Sequence, residues 1–159
     1  MAMISVELVA SASDDVRALI AELEDILGAV YPPEQRHGLS IDAIFEPHVR
    51  FFVARLDGRA VGCGGVALFA DFAEAKRMYV RPEARGRGVA DAVLARLEAE
   101  ARAAGLAVLR LETGDRQLAA MRFYERAGFR HCDAFGAYAA MPRSAIATSV
   151  FYEKPVAPG

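Results

Sequence analysis

Only two cysteines occur in the 159 residues, Cys63 and Cys132, and neither is paired with histidine at ligand spacing. Two thiols cannot build a zinc site by themselves, so no metal is expected and both read as reduced cytoplasmic cysteines. Long apolar runs are missing too. The longest, Ala60 to Ala70, has eleven residues including three glycines, well short of the roughly 20 that span a bilayer. Met1 to Ala10 contains no basic residue, so neither a secretory leader nor a membrane partner is expected, and the expected compartment is the cytoplasm. Nor is there an excess of one charge: 19 basic residues face 21 acidic ones, a net −2. That balance excludes general nucleic-acid binding, which calls for a large basic surplus. Lysine supplies only two of the 19 basic residues, which reflects coding composition more than function.

What is present is an uneven distribution of charge. Residues 1–75 sum to −7, residues 76–87 to +4 and residues 88–159 to +1. The positive window holds Lys76, Arg77, Arg81, Arg85 and Arg87 against Glu83 alone. A chain that is acidic overall thus gathers positive charge in twelve residues, which points to an anionic ligand. The acidic first third favours, weakly, a cationic partner such as an amine.

No repeat, linker or composition break divides the chain, so one domain over residues 1–159 is expected, with a core from about 4 to 154. Ile4 to Val9 alternates as a strand. Ser13 caps a helix whose apolar positions are Val16, Leu19, Ile20, Leu23 and Leu27, closed by Gly28. Ser40 to Phe45 suggests a short second helix. Strands are expected over Val49–Arg55 and Ala60–Phe69, joined at Asp57-Gly58, and over Ala73–Val80. Gly62, Gly64 and Gly65 suggest a bulge or a close backbone approach in the second arm. Gly88 to Ala104 is a strongly amphipathic helix ended by Gly105. A strand over Leu106–Leu111, a helix over Asp115–Ala127, a strand from Phe129 and a last strand over Ala147–Tyr152 complete the chain. This β-α-α-β-β-β-α-β-α-β-β order predicts an α/β (α+β) fold, a mixed sheet with helices on both faces.

The segment richest in chemistry runs from Tyr79 to Ala90. A strand ends there, and Arg85-Gly86-Arg87-Gly88 opens directly into the long helix. Glycines let backbone N–H groups converge, and a helix N-terminus adds free donors and positive potential. The arrangement suits a pyrophosphate, with Arg85 and Arg87 adding charge-assisted contacts. No Walker A run is present, and Asp91 stands where the dinucleotide fingerprint needs its third glycine. By itself the segment fits either an anion cradle or a glycine-rich turn with solvated arginines.

It does not stand alone. Arg85-x-x-Gly88-x-Ala90 resembles the [Gln/Arg]-x-x-Gly-x-[Gly/Ala] pyrophosphate signature of the GNAT superfamily of N-acetyltransferases. About 35 residues on, Ala120-x-x-x-Tyr124-x-x-x-Gly128-Phe129 resembles that family's second block. Gln117 stands where the family prefers asparagine. The resemblance covers Ile4 to Lys154 and implies a mostly antiparallel sheet of about seven strands with a central splay. It also implies acetyl-CoA as cosubstrate. The pantetheine arm would lie along Met78, Tyr79 and Val80, the pyrophosphate would sit on Arg85, Gly86, Arg87, Gly88, Val89 and Ala90, and Gln117 would lie nearby.

The implied reaction is acetyl transfer to a primary amine of a small molecule or peptide, by direct attack in a ternary complex. Tyr124 matches the family tyrosine that protonates the departing thiolate, or else packs beneath the cofactor. Glu74, eleven residues before Arg85, is the expected base, with Glu112 the next candidate and ordered water a third. The alternative for Glu74 is a strand-end carboxylate paired with Lys76. Tyr31, Arg36, His37 and Tyr138 are candidate acceptor contacts, and Phe135 to Ser149 is expected to form the far wall. His48 and His131 have no assigned role. Two other readings remain open: acetylation of a protein lysine or α-amino group, and a non-catalytic domain that senses coenzyme A. A homodimer is compatible with all of them.

Overall fold

The computed structural model describes residues 2–156. Strand β1 (Ile4–Val9) leads into helix α1 (Asp14–Gly28), where the Ser13 hydroxyl accepts the Val16 N–H at 3.3 Å. Asp14 and Asp15 occupy the first turn of α1, next to its positive dipole end. Strands β2 (Val49–Leu56) and β3 (Arg59–Leu68) form a hairpin through Asp57 and Gly58, both at positive φ, 50° and 83°. That is the backbone a two-residue turn of the mirror-image type requires. Strand β4 (Ala73–Val80), helix α2 (Val89–Ala103), strand β5 (Val108–Gly114) and helix α3 (Leu118–Arg126) follow. Strand β6 (Arg130–His131), helix α4 (Arg143–Ile146) and strand β7 (Ser149–Pro155) end the described chain.

The seven strands lie in the order β1-β2-β3-β4-β5-β7-β6. All pairings are antiparallel except β4 with β5, which holds only at Ala73↔Leu109 and Glu74↔Arg110. Beyond Glu74 the two central strands diverge, and this splay positions the site. One face of the sheet carries Val16, Leu19 and Ile20 of α1. The other carries Val89, Val93, Leu94, Leu97 and Ala101 of α2, with Tyr124 of α3. Each buried Val or Leu of these stripes contributes about 1.5–3 kcal/mol. Phe135, Tyr138 and Phe151 form a separate small cluster beside β7.

Several boundaries depart from expectation, each for a visible reason. The second helix reduces to a 3-10 turn over Ala43–Phe45, whose first N–H bonds the Ser40 hydroxyl at 3.1 Å. Gly28 is the last residue of α1 and not a left-handed cap, because Ala29 closes the helix at φ −74°. Strand β5 starts at Val108, since the Leu106 N–H is spent on Ala101 O and the Gly105 N–H on Arg102 O at the end of α2. Helix α3 starts at Leu118, because Asp115 N–H bonds Thr148 O and Arg116 N–H bonds the Tyr31 hydroxyl oxygen. After the two-residue β6 the chain turns into a 3-10 segment, Gly136–Ala140, and then α4, which delays β7 to Ser149.

The expected irregularity near the glycines is there, but the extra residue sits on β4. Between Cys63↔Tyr79 and Gly65↔Lys76 the register slips, and Arg77 takes φ 56°. The glycines supply the close approach. A Cβ at Gly62 would stand 2.9 Å from Tyr79 O, and one at Gly64 would stand 2.6 Å from Val93 of α2.

Candidate active site

Two cavities open where β4 and β5 part. The larger, about 610 Å³, lies between Met78, Tyr79 and Val80 of β4, Arg85 and Ala90 near the start of α2, and the face of α3 from Gln117 to Arg126. The smaller, about 140 Å³, is enclosed by Leu23 and Leu27 of α1, the loop from Tyr31 to Gly38, Lys76 of β4 and Glu112 of β5. Leu23, Met78, Gln117, Ala120 and Tyr124 line both. Tyr124 therefore stands at the junction of a large, mostly apolar-walled cavity and a small one of mixed lining.

The loop between β4 and α2 is built for backbone convergence. Gly86 and Gly88 take φ 76° and 84°, values that side-chain-bearing residues rarely adopt. Gly88 caps α2 without a side-chain bond, which leaves the first N–H groups of the helix free of intrahelical acceptors. Arg85 lines the large cavity and its Nε donates to Val80 O at 3.3 Å. Gly86, Arg87, Gly88 and Val89 lie outside the lining, on the loop at its edge, and the Val89 side chain belongs to the core.

Ion pairing redistributes the charge seen in the sequence. Glu22 takes Arg81 in three bonds of 2.9–3.2 Å as well as the Tyr79 hydroxyl at 3.0 Å. Glu24 takes Arg77 and, at 3.2 Å, Arg36. Glu7 and Asp15 take Arg55. Five of the twelve carboxylates of residues 1–75, Glu7, Asp15, Glu22, Glu24 and Glu74, are held in ion pairs with arginine or lysine. Of the five cations between residues 76 and 87, only Arg85 and Arg87 have no carboxylate partner among the described residues. Arg116 and Arg126, also without carboxylate partners among the described residues, line the large cavity together with Arg85. The sequence reading passed over both; Arg126 lies three residues after Phe123 on the helix, so only a reading that placed Phe123 at the cavity could have found it.

Tyr124 is buried, and burial together with the Glu112 charge pushes its phenol up to about 12. It therefore keeps its proton throughout the neutral range. Its hydroxyl makes a long 3.8 Å contact with Met78 Sδ. Glu112 lines the small cavity, and burial raises its carboxyl above the ordinary range against the lowering effect of a 2.6 Å bond from the Ser149 hydroxyl. Cys63 lines the large cavity, but burial pushes its thiol up to about 12, so it is no nucleophile at neutral pH.

Glu74 occupies a different setting from the one expected of a base. It is 5% exposed and accepts from the Tyr138 hydroxyl at 2.7 Å and Lys76 Nζ at 3.1 Å. Lys76 also donates to the Tyr138 oxygen at 2.8 Å and to His37 O at 3.1 Å. Glu74 and Tyr138 line a third cavity of about 390 Å³ among Phe69, Phe72 and Phe135, which Tyr124 does not reach. The pairing with Lys76 is real, but it is buried and not at a surface. Replacing Glu74 with glutamine strips a buried ammonium of its countercharge while leaving it two oxygen acceptors. A loss of about 2 kcal/mol is expected, lowering Tm by about 4–8 °C in a thermal melt, with the shape of the pH–rate profile unchanged.

The other acceptor candidates do converge. Tyr31, Arg36 and His37 line the small cavity, and His37 Nε2 lies 2.7 Å from Ala145 O. The Thr148 hydroxyl meets Gln35 Oε1 at 3.4 Å. The segment from Phe135 to Thr148 is therefore tied to the outside of the 31–38 loop, but none of its residues lines the small cavity, so it is not the far wall expected; Phe135 and Tyr138 line the third cavity instead. Gly114 is needed here, because a Cβ would collide with the Tyr31 hydroxyl. Among the described residues no three His, Cys, Asp or Glu side chains gather as a metal site.

Comparison with known proteins agrees with this geometry. Residues 17–129 match the model of the acetyltransferase (GNAT) family. A protein of Azospirillum brasilense named "IAA acetyltransferase" is 43% identical over 145 residues, 90% of this chain and 92% of its own. A crystal structure from Klebsiella pneumoniae, assigned as an acyl-CoA N-acyltransferase, superimposes with a TM-score of 0.77 at 34% identity, covering 98% of this chain and 99% of its own. A PaiA N-acetyltransferase of Thermoplasma acidophilum, solved with coenzyme A, shares the fold at a TM-score of 0.66 and 18% identity, covering 95% of this chain and 99% of its own. With the family model spanning most of its length, the splayed-sheet chain described above belongs to the GNAT acetyltransferase family and is an acyltransferase.

Proposed function

We propose that this chain transfers an acetyl group from acetyl-CoA to a primary amine of a small molecule, by direct attack in a ternary complex. The observation that carries the reading is the meeting of two cavities at Tyr124, one of about 610 Å³ and one of about 140 Å³. The larger suits acetyl-CoA by its volume and its charge. Arg85, Arg116 and Arg126 would hold its phosphates, helped by the backbone of the Gly86–Gly88 loop. The edge of β4 from Ala75 to Val80, unpaired toward β5, leaves backbone donors and acceptors for an amide-containing arm. Once bound, the cosubstrate supplies an activated thioester.

The remaining work is proton transfer, and the chain has a group on each side. Glu112, in the small cavity, would take the ammonium proton of the acceptor, because its raised carboxyl is a better base than an exposed one. The freed amine forms a bond to the acetyl carbon while the carbon–sulfur bond breaks. Tyr124 would give its proton to the departing sulfur and regain one from the acylated nitrogen, which sheds its second proton, while the first passes from Glu112 to solvent. Glu112 thus replaces Glu74 in the role of base. The smallness of the acceptor cavity favours a small molecule over an extended protein segment.

The direct test is thiol release from acetyl-CoA across amines, amino acids, polyamines and peptides. Release that requires a small amine supports the reading, and binding of acetyl-CoA without release in any arm overturns it in favour of a sensing domain. The cradle has its own test. Gly88→Val forces a β-branched residue to φ 84°, at a cost of about 1–3 kcal/mol. The KM for acetyl-CoA is expected to rise about tenfold with the KM for the acceptor little changed. An unchanged KM for acetyl-CoA places the phosphates elsewhere.

A further inference from the structure

The small cavity is lined by one cation more than its ion pairs match and, apart from it, by a carboxylate, Glu112, with no ion-pair partner among the described residues. Three cations line it: Arg36, Lys76 and Arg77. Lys76 is matched by Glu74, but Arg36 and Arg77 share the single carboxylate of Glu24. One positive charge is left over on this wall. Glu112 lines the same cavity.

Arg36 is where the surplus becomes a site. Its Nη1 is engaged by Glu24, while its Nε is buried and finds no acceptor among the described residues. Its Nη2 has no acceptor among the described residues either. Nη2 is the prong open to a carboxylate in the cavity, and Nε, sealed from solvent where it stands, completes the two-pronged face only when the side chain turns. An unmet buried donor is costly unless a ligand or water meets it. The fold holds the group by its Nη1 side. Arg36 Nη1 packs against Gly28 at the end of α1, where a Cβ would stand 3.4 Å away. Arg77 reaches Glu24 across Gly38, whose Cβ would collide with the Arg77 guanidinium.

We infer that the acceptor is an amino carboxylate, its carboxylate on Arg36 and its amine toward Glu112 and Tyr124. The inference rests on the acetyl-transfer reading above and names the class of acceptor within it. A cavity with a surplus guanidinium and a carboxylate both in its lining is complementary to a zwitterion. It discriminates against a plain amine by leaving Arg36 unpaired, and against an amide by the loss of charge. A small zwitterion also fits the volume of about 140 Å³ better than a polyamine or a peptide does.

The test compares matched triplets as acceptors with acetyl-CoA at pH 8: L-alanine, L-alaninamide and ethylamine, then the corresponding sets for leucine and phenylalanine. Thiol release is expected with a kcat/KM at least tenfold higher for the acid than for the amide or the amine in at least one triplet. The amide has the less basic amine and more of it is neutral at this pH, a bias against the expected result; ethylamine is the more basic and less of it is neutral, so the comparison with the amine is made per neutral amine. Arg36→Gln should bring the acid-to-amide ratio close to one by raising the KM for the acid. Arg36→Lys keeps the charge without the fork and should lower the ratio several-fold, which serves if the glutamine variant does not fold. Acids no better than amides and amines overturn the carboxylate site and leave acetyl transfer standing, as does an unchanged ratio in a folded Arg36 variant. Absence of thiol release with every acceptor overturns the parent reading and this inference together.

Discussion

Glu112→Gln is expected to lower kcat by about 10³-fold while leaving the protein at least as stable as the parent. The two effects have one cause. Burial raises the Glu112 carboxyl above its usual range, which makes it a stronger base and also makes its ionised form costly to keep inside the fold. A carboxyl raised in the folded state favours folding while protonated, below the ordinary value of 4.5. That contribution is lost as pH rises through the raised folded value. At pH 8 the parent therefore bears the cost of a buried charge, and glutamine removes it while its amide oxygen still accepts from Ser149. The Tm difference between variant and parent should shift in the variant's favour from pH 5 to pH 8. The parent's kcat should fall as acid protonates Glu112, and this acidic limb should be missing from the residual activity of Glu112→Gln. A parent-like pH profile in the variant assigns the proton to water or a backbone carbonyl instead.

Tyr124→Phe is expected to reduce kcat by about 10²-fold with little change in stability. The ring packs against Phe123, Phe129 and Tyr152, contacts that phenylalanine keeps. Its hydroxyl has only the long contact to Met78 Sδ to lose. A thiol pushed out as its anion needs a proton, and a phenol near 12 is protonated throughout the neutral range. The defect should shrink when an aryl thioester, whose thiolate leaves without help, replaces the acetyl donor. A variant with parent rates on acetyl-CoA makes Tyr124 a wall of the cavity and nothing more.

The parts of the site that were readable from sequence are those made by neighbours in the chain. The Arg85–Ala90 loop and the Tyr124 helix carry their chemistry within one turn and one helix, so residue spacing suffices to place them. The hairpin at Asp57-Gly58 and the cap at Ser13 are equally local. The base was not readable in this way. Choosing between Glu74 and Glu112 depends on where β4 and β5 separate, and that follows from a parallel pairing of only two residue pairs and from the extra residue at Arg77. Tyr138 reaches Glu74 across 64 positions and His37 reaches Ala145 across 108. Helix α4 has only four residues and follows Pro142, too short for any period to show. The net charges of the three segments were countable from the start. Their meaning is set by the fold: Glu74, Glu24 and Glu22 pair with Lys76, Arg77 and Arg81, which leaves Arg85 and Arg87 as the cations of residues 76–87 without a carboxylate partner among the described residues.

The claim that two reactants meet at Tyr124 is tested most directly by initial velocities with acetyl-CoA and an accepted amine varied against one another. Two adjoining cavities and a Cys63 thiol held near 12 predict double-reciprocal lines that intersect, the pattern of a ternary complex. Parallel lines, with an acetylated enzyme trapped in the absence of amine, would contradict it.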